Sequence, residues 1–111
     1  MKNCQYKSLH HTSAGSISHC SQCGNLKVRF GHLMSFISED AFKLILNDFN
    51  QRRAFYYEDD NAQSAPERII ICLNKNNLFL NLSPEEFDDL YDLFDIANHM
   101  LEVNTCLNIS E

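Results

Sequence analysis

Leu82-Ser83-Pro84-Glu85-Glu86-Phe87 decides the fold of this chain, because it returns Ile37-Ser38-Glu39-Asp40-Ala41-Phe42 at a constant offset of 45 residues. The later copy is the sharper signal. Ser83 is an N-cap residue, Pro84 fills the first helical position where its missing N–H costs nothing, and Glu86 completes a capping box. Phe87, Leu90, Tyr91, Phe94, Ala97 and Leu101 then give an apolar stripe at helical spacing to about residue 103. In the earlier copy Ser38 caps, Glu39 and Asp40 suit the positive end of the helix dipole, and Phe42, Ile45, Leu46 and Phe49 follow at i, i+3, i+4 and i+7. That helix is predicted over 39 to about 55.

Each copy is preceded by a hairpin. Leu26 to Phe30 and Leu33 to Ile37 flank a Gly31-His32 turn, with Leu26, Val28 and Phe30 alternating. Arg68 to Leu73 and Leu78 to Leu82 flank Asn74-Lys75-Asn76-Asn77. The unit is therefore ββα, used twice. Because each unit has one apolar sheet face and one apolar helix stripe, the packing expected is a two-layered α+β fold, with both helices on one face of a single, mostly antiparallel sheet. At 111 residues and 44% hydrophobic content the chain suffices for one core. The expected division is a metal-binding hairpin at 1–25, a first ββα unit at 26–56, an acidic loop at 57–67, a second ββα unit at 68–104 and a tail at 105–111.

Upstream of the repeat, Cys20-Ser-Gln-Cys23 holds two thiols at a spacing that can grip one soft ion from a tight turn. Such an ion needs further S or N donors, and Cys4, His10 and His11 lie just before it. Tyr6 to Thr12 and Ser16 to His19 read as a hairpin turning at Ser13-Ala14-Gly15. A three-residue loop over 14–16 places His10 opposite Cys20. The ligand set expected is thus Cys4, His10, Cys20 and Cys23 around one structural Zn2+, with His11 replacing His10 if the register slips by one. Five cysteines is an odd number, which favours three ligands plus two isolated thiols, Cys72 and Cys106, over a disulfide framework. Cys72, within an apolar strand, is read as a small buried or incidental thiol. His19 is expected to project from the opposite face, and His32 and His99 to be solvated.

The net charge of -6 is unevenly distributed: residues 1–38 hold Lys2, Lys7, Lys27 and Arg29 with no acid, whereas the remaining residues hold all fifteen acids and five bases. The run Glu85, Glu86, Asp88, Asp89, Asp92 and Asp95 is the solvated face of a helix. No glycine-rich phosphate loop exists among three glycines. A zinc-deaminase arrangement is disfavoured because no acid precedes residue 39. A thioredoxin-type dithiol is disfavoured because Gly24-Asn25 leads into a strand and not a helix. No apolar run approaches the ~20 residues of a membrane span, and the N-terminus lacks the apolar core of a secretory signal, so the expected location is cytoplasmic.

Cys4, the Gly15-Ser-Ile-Ser-His-Cys-Ser-Gln-Cys23 stretch, the Leu26-Lys-Val-Arg-Phe-Gly31 run and the acidic, Phe-containing helix after it resemble a small uncharacterised bacterial family described as a domain of unknown function. The similarity covers nearly the whole chain and implies a zinc-ribbon-like start. It brings no catalytic residues. The function expected is a non-enzymatic, zinc-stapled module acting through a protein partner or by self-association. The first alternative is a nucleic-acid binder using Lys2, Lys7, Lys27, Arg29, Tyr6 and Phe30, disfavoured by the net charge. The second is a CxxC dithiol redox protein.

Overall fold

A computed structural model describes residues 4–58, 67–74 and 78–109. Among these residues six strands and two helices follow in chain order: β1 (Lys7–His11), β2 (Gly15–His19), β3 (Leu26–Phe30), β4 (Leu33–Ile37), α1 (Glu39–Arg53), β5 (Ile69–Asn74), β6 (Leu78–Leu82) and α2 (Pro84–Ile109). This is an N-terminal hairpin followed by two ββα units, all strand pairs antiparallel, with both helices on one face. A π-helical turn, Ala54–Glu58, continues α1.

Two features of the layout differ from the expectation. The strands do not form one sheet: β1-β2-β3-β4 make one and β5-β6 another. The first hairpin joins the second through β2 and β3, which leaves β5 and β6 paired only with each other among the described residues. In addition, α2 continues beyond residue 103 to Ile109, so most of the segment expected as a tail is helical. The acidic loop expected over 57–67 and the Asn-rich turn lie largely outside the described residues.

The local signals behave as their chemistry requires. Ser38 Oγ accepts the Ala41 N–H at 3.1 Å, capping α1. At α2 the bonds are reciprocal: the Ser83 N–H donates to Glu86 Oε1 at 2.8 Å, and the Glu86 N–H donates to Ser83 Oγ at 3.2 Å. Phe42, Ile45, Leu46 and Phe49 of α1 are buried, as are Phe87, Leu90, Leu93, Phe94, Ala97 and Leu101 of α2. Phe42 stacks on Phe94 at 4.8 Å, and Phe49 meets the edges of Phe87 and Phe94 at 5.5 and 5.1 Å. The aromatic layer therefore locks the two copies of the repeat together.

Leu9, Ile17, Leu26 and Val28 belong to this same core, and α2 packs on β1 and β2. The N-terminal hairpin is thus built into the main sheet and is not a separable head. Gly15 marks the junction. It pairs with Phe30 across β2 and β3, where a Cβ would stand 2.0 Å from the Arg29 carbonyl oxygen, so no other residue fits without moving the backbone.

Candidate metal centre

The turn between β2 and β3 is built by Cys20 itself. Its carbonyl accepts the Gly24 N–H at 2.8 Å, its own N–H donates to the Asn25 carbonyl at 3.0 Å, and its Sγ accepts the Cys23 N–H at 3.5 Å. Gly24 sits at φ 80°, a left-handed conformation that glycine adopts without a Cβ penalty. Reversing the chain this tightly turns Cys20 inward and leaves Cys23 exposed.

Cys4 arrives from outside β1. The Sγ atoms of Cys4, Cys20 and Cys23 all lie within 4.8 Å of one another. Tetrahedral coordination at about 2.3 Å sets the sulfurs about 3.8 Å apart, so the trio draws together by about 1 Å at most to close on an ion. Among the described residues this is the one group of three or more His, Cys, Asp or Glu donors at metal-binding spacing.

The electrostatics divide the three thiols. The Cys23 amide, seconded by that of Gln22, favours the Cys20 thiolate and brings its pKa down to about 7. Cys4 is pushed up to about 11, chiefly because hydrogen bonding to Cys23 and then to Cys20 favours its neutral thiol, with burial and the charge of the neighbouring sulfurs adding to the effect. Tyr6 Oη lies 3.8 Å from Cys23 Sγ. Burial, then this hydrogen bond, raises Tyr6 to about 12, so the hydroxyl keeps its proton beside the sulfur. Nothing in the sequence pointed to this contact beyond a tyrosine two residues after Cys4.

The histidines lie elsewhere. The sequence reading sets His10 opposite Cys20, but its partner is Ile17, and that of His11 is Ser16. The cause is the turn: Thr12 Oγ1 accepts the Ala14 and Gly15 N–H groups and the Thr12 N–H donates to the Gly15 carbonyl, closing a two-residue loop over 13–14 in place of three residues over 14–16 and moving the partner of His10 from Cys20 to Ile17. A bulge between Ser8 and His10 moves the register once more, for Ser8 and Lys7 beyond the two histidines. Neither His10 nor His11 joins the three-sulfur group. His19, next to Cys20, instead places Nε2 2.7 Å from Glu39 Oε1, tying β2 to the first turn of α1. Cys72 faces outward on β5 and is exposed, because Ile69, Ile71 and Leu73 take the buried positions of that strand.

Among the described residues no helix is long and apolar enough to cross a membrane. Neither a curated protein nor a solved structure matches the chain. Over its full length, residues 1–111, the sequence fits one family model, and the chain belongs to that family, a family of unknown function (DUF6686).

Proposed function

We propose that Cys4, Cys20 and Cys23 hold one structural zinc ion and that the protein is a non-enzymatic module acting through another protein chain. The observation that carries this reading is the convergence of three sulfurs from two segments, with the deepest already biased toward its thiolate by backbone amides. Thiolates are the ligands a soft divalent ion prefers, and an ion here pins the entry of β1 to the β2–β3 turn. Among the described residues no fourth His, Cys, Asp or Glu joins the three sulfurs. Tyr6 would serve as an outer-shell partner, donating to Cys23 Sγ and moderating its charge.

Two observations support structure over chemistry. Glu39, the carboxylate that meets the residue beside Cys20, is engaged by His19 in a contact that ties β2 to α1 and is not free as a general base. Dithiol exchange of the thioredoxin kind draws on a helix N-terminus at the CxxC, whereas here the turn passes into β3. The nucleic-acid reading is weakened by Phe30, one of its two aromatic contacts, which packs against the core.

Cobalt substitution tests the ligand set. Thiolate-to-cobalt charge-transfer absorption is expected in the native chain, reduced in Cys4→Ser, Cys20→Ser and Cys23→Ser, and unchanged in His10→Ala. Equal spectra across all four variants would refute the assignment.

A further inference from the structure

The two edges of the four-stranded sheet are treated differently. β1 carries Lys7 and a bulge between Ser8 and His10, and α2 packs against it. These are ordinary means of discouraging a second chain from pairing with an edge. β4 has none of them. Leu33-Met34-Ser35-Phe36-Ile37 contains no charge and no proline, keeps an unbroken register with β3, and has no second neighbouring strand among the described residues. On the sheet face away from the helices, Met34 and Phe36 are 54% and 51% exposed.

The backbone and the side chains of β4 agree about what fits there. Phe30 and Leu33 flank the two-residue Gly31-His32 turn and so form a hydrogen-bonded pair. Leu33, Ser35 and Ile37 therefore direct their N–H and C=O groups toward β3, and Met34 and Phe36 direct theirs to the open edge. A second β4, antiparallel about a twofold axis through Ser35, sets Met34 opposite Phe36 and Phe36 opposite Met34, with hydrogen bonds exchanged at both pairs. Each pair is a thioether against an aromatic ring, a favourable contact. On the inner face Leu33 meets Ile37, and at the axis serine meets serine.

Charge does not oppose the pairing. Phe36 pairs with Lys27 and Met34 with Arg29 on β3, so each new cross-strand row reads cation, apolar, apolar, cation. The cations at its ends are three strand spacings, about 14 Å, apart, beyond the ~8 Å screening length at physiological salt. β6, also uncharged, lacks this self-complementarity: about Leu80 its exposed Phe79 would face Asn81.

We infer that this protein forms a twofold dimer by β4–β4 pairing, which joins two four-stranded sheets into one of eight strands. The inference rests on the interaction-module reading and names its partner as a second copy of the chain. The arrangement is isologous and closes on itself. One five-residue strand pair lies at the low end of specific interfaces, below about 1,200 Å², the size class of transient contacts, so the dimer is reversible.

Sedimentation velocity on the full chain under reducing conditions, from about 1 µM to about 500 µM, tests this, with zinc content measured on the same samples. The expected result is a monomer–dimer equilibrium in that range. Phe36→Lys and Met34→Lys, each checked for native circular dichroism, should weaken it at least about tenfold, because each desolvates a charge on the shared edge. Phe79→Lys should leave it unchanged. A monomer at every concentration would overturn the inference, including one that binds a single-stranded oligonucleotide instead. So would a dimer indifferent to both β4 variants or abolished by Phe79→Lys. A zinc-loaded monomer refutes the edge pairing alone, and a zinc-free dimer refutes the metal reading alone.

Discussion

The amide of Cys23 donates to the sulfur of Cys20 at 3.5 Å, so the second residue of the CxxC turn prepares the first as a ligand before any ion arrives. With a pKa of about 7, below its ordinary value near 9, Cys20 is largely protonated at pH 6 and largely thiolate at pH 8. Cys4, raised to about 11, keeps its proton at both.

The number of protons released on zinc binding should therefore fall between pH 6 and pH 8, with Cys20 contributing close to one proton fewer at the higher pH. Calorimetric zinc titrations in buffers of differing ionisation enthalpy read that number directly. Equal release at the two values would contradict the assignment of Cys20 as the prepared ligand.

Gly15→Ala should be far costlier than Gly24→Ala. At Gly15 the new Cβ meets the Arg29 carbonyl oxygen at 2.0 Å and forces β2 and β3 apart, costing about 2–3 kcal/mol or more. At Gly24 the space is open and only the left-handed backbone is strained, costing about 1 kcal/mol. Urea unfolding of the two variants measures the difference.

Phe49→Ala should cost about 3–5 kcal/mol in the same assay, because Phe49 is fully buried and touches three rings of α2, those of Phe87, Tyr91 and Phe94. A loss below about 1 kcal/mol would mean that the aromatic layer does not join the two ββα units.

Ser83→Ala removes one half of the α2 capping box and should cost about 1 kcal/mol. The box also carries a pH signature. The Ser83 amide, followed by its hydroxyl, holds Glu86 below the usual carboxylate range. A carboxyl group depressed in the folded state adds stability above its unfolded pKa and loses it as pH falls through the folded value. Acid unfolding of Glu86→Gln should accordingly show a shallower loss of stability below the carboxylate range than the native chain.

The repeat was legible in the sequence because its determinants are local. Ser38 and Ser83 cap the helices that start beside them, and the inward residues of β3, Leu26, Val28 and Phe30, alternate as a half-buried strand must. Cys4, Cys20 and Cys23 were legible as a group because their chemistry is scarce and their spacing short. The fourth position was not, since the place of His10 depends on how Thr12 closes the turn, which sets the register without altering the apolar pattern. The split into two sheets was equally hidden. Strand pairing beyond a hairpin is settled by packing, here by a first hairpin that occupies the flank of β3 with β2, and nothing in Ile69 to Leu73 announces it.

The most direct test of the metal staple is the zinc content of the protein purified without added metal, by elemental analysis with native mass spectrometry. The account predicts one zinc per chain, lost in Cys4→Ser, with faster hydrogen exchange at residues 4–8 and 20–25 and little change in α1 and α2, which the buried core holds independently. A folded, metal-free chain that takes up no zinc when supplied with it would contradict the account.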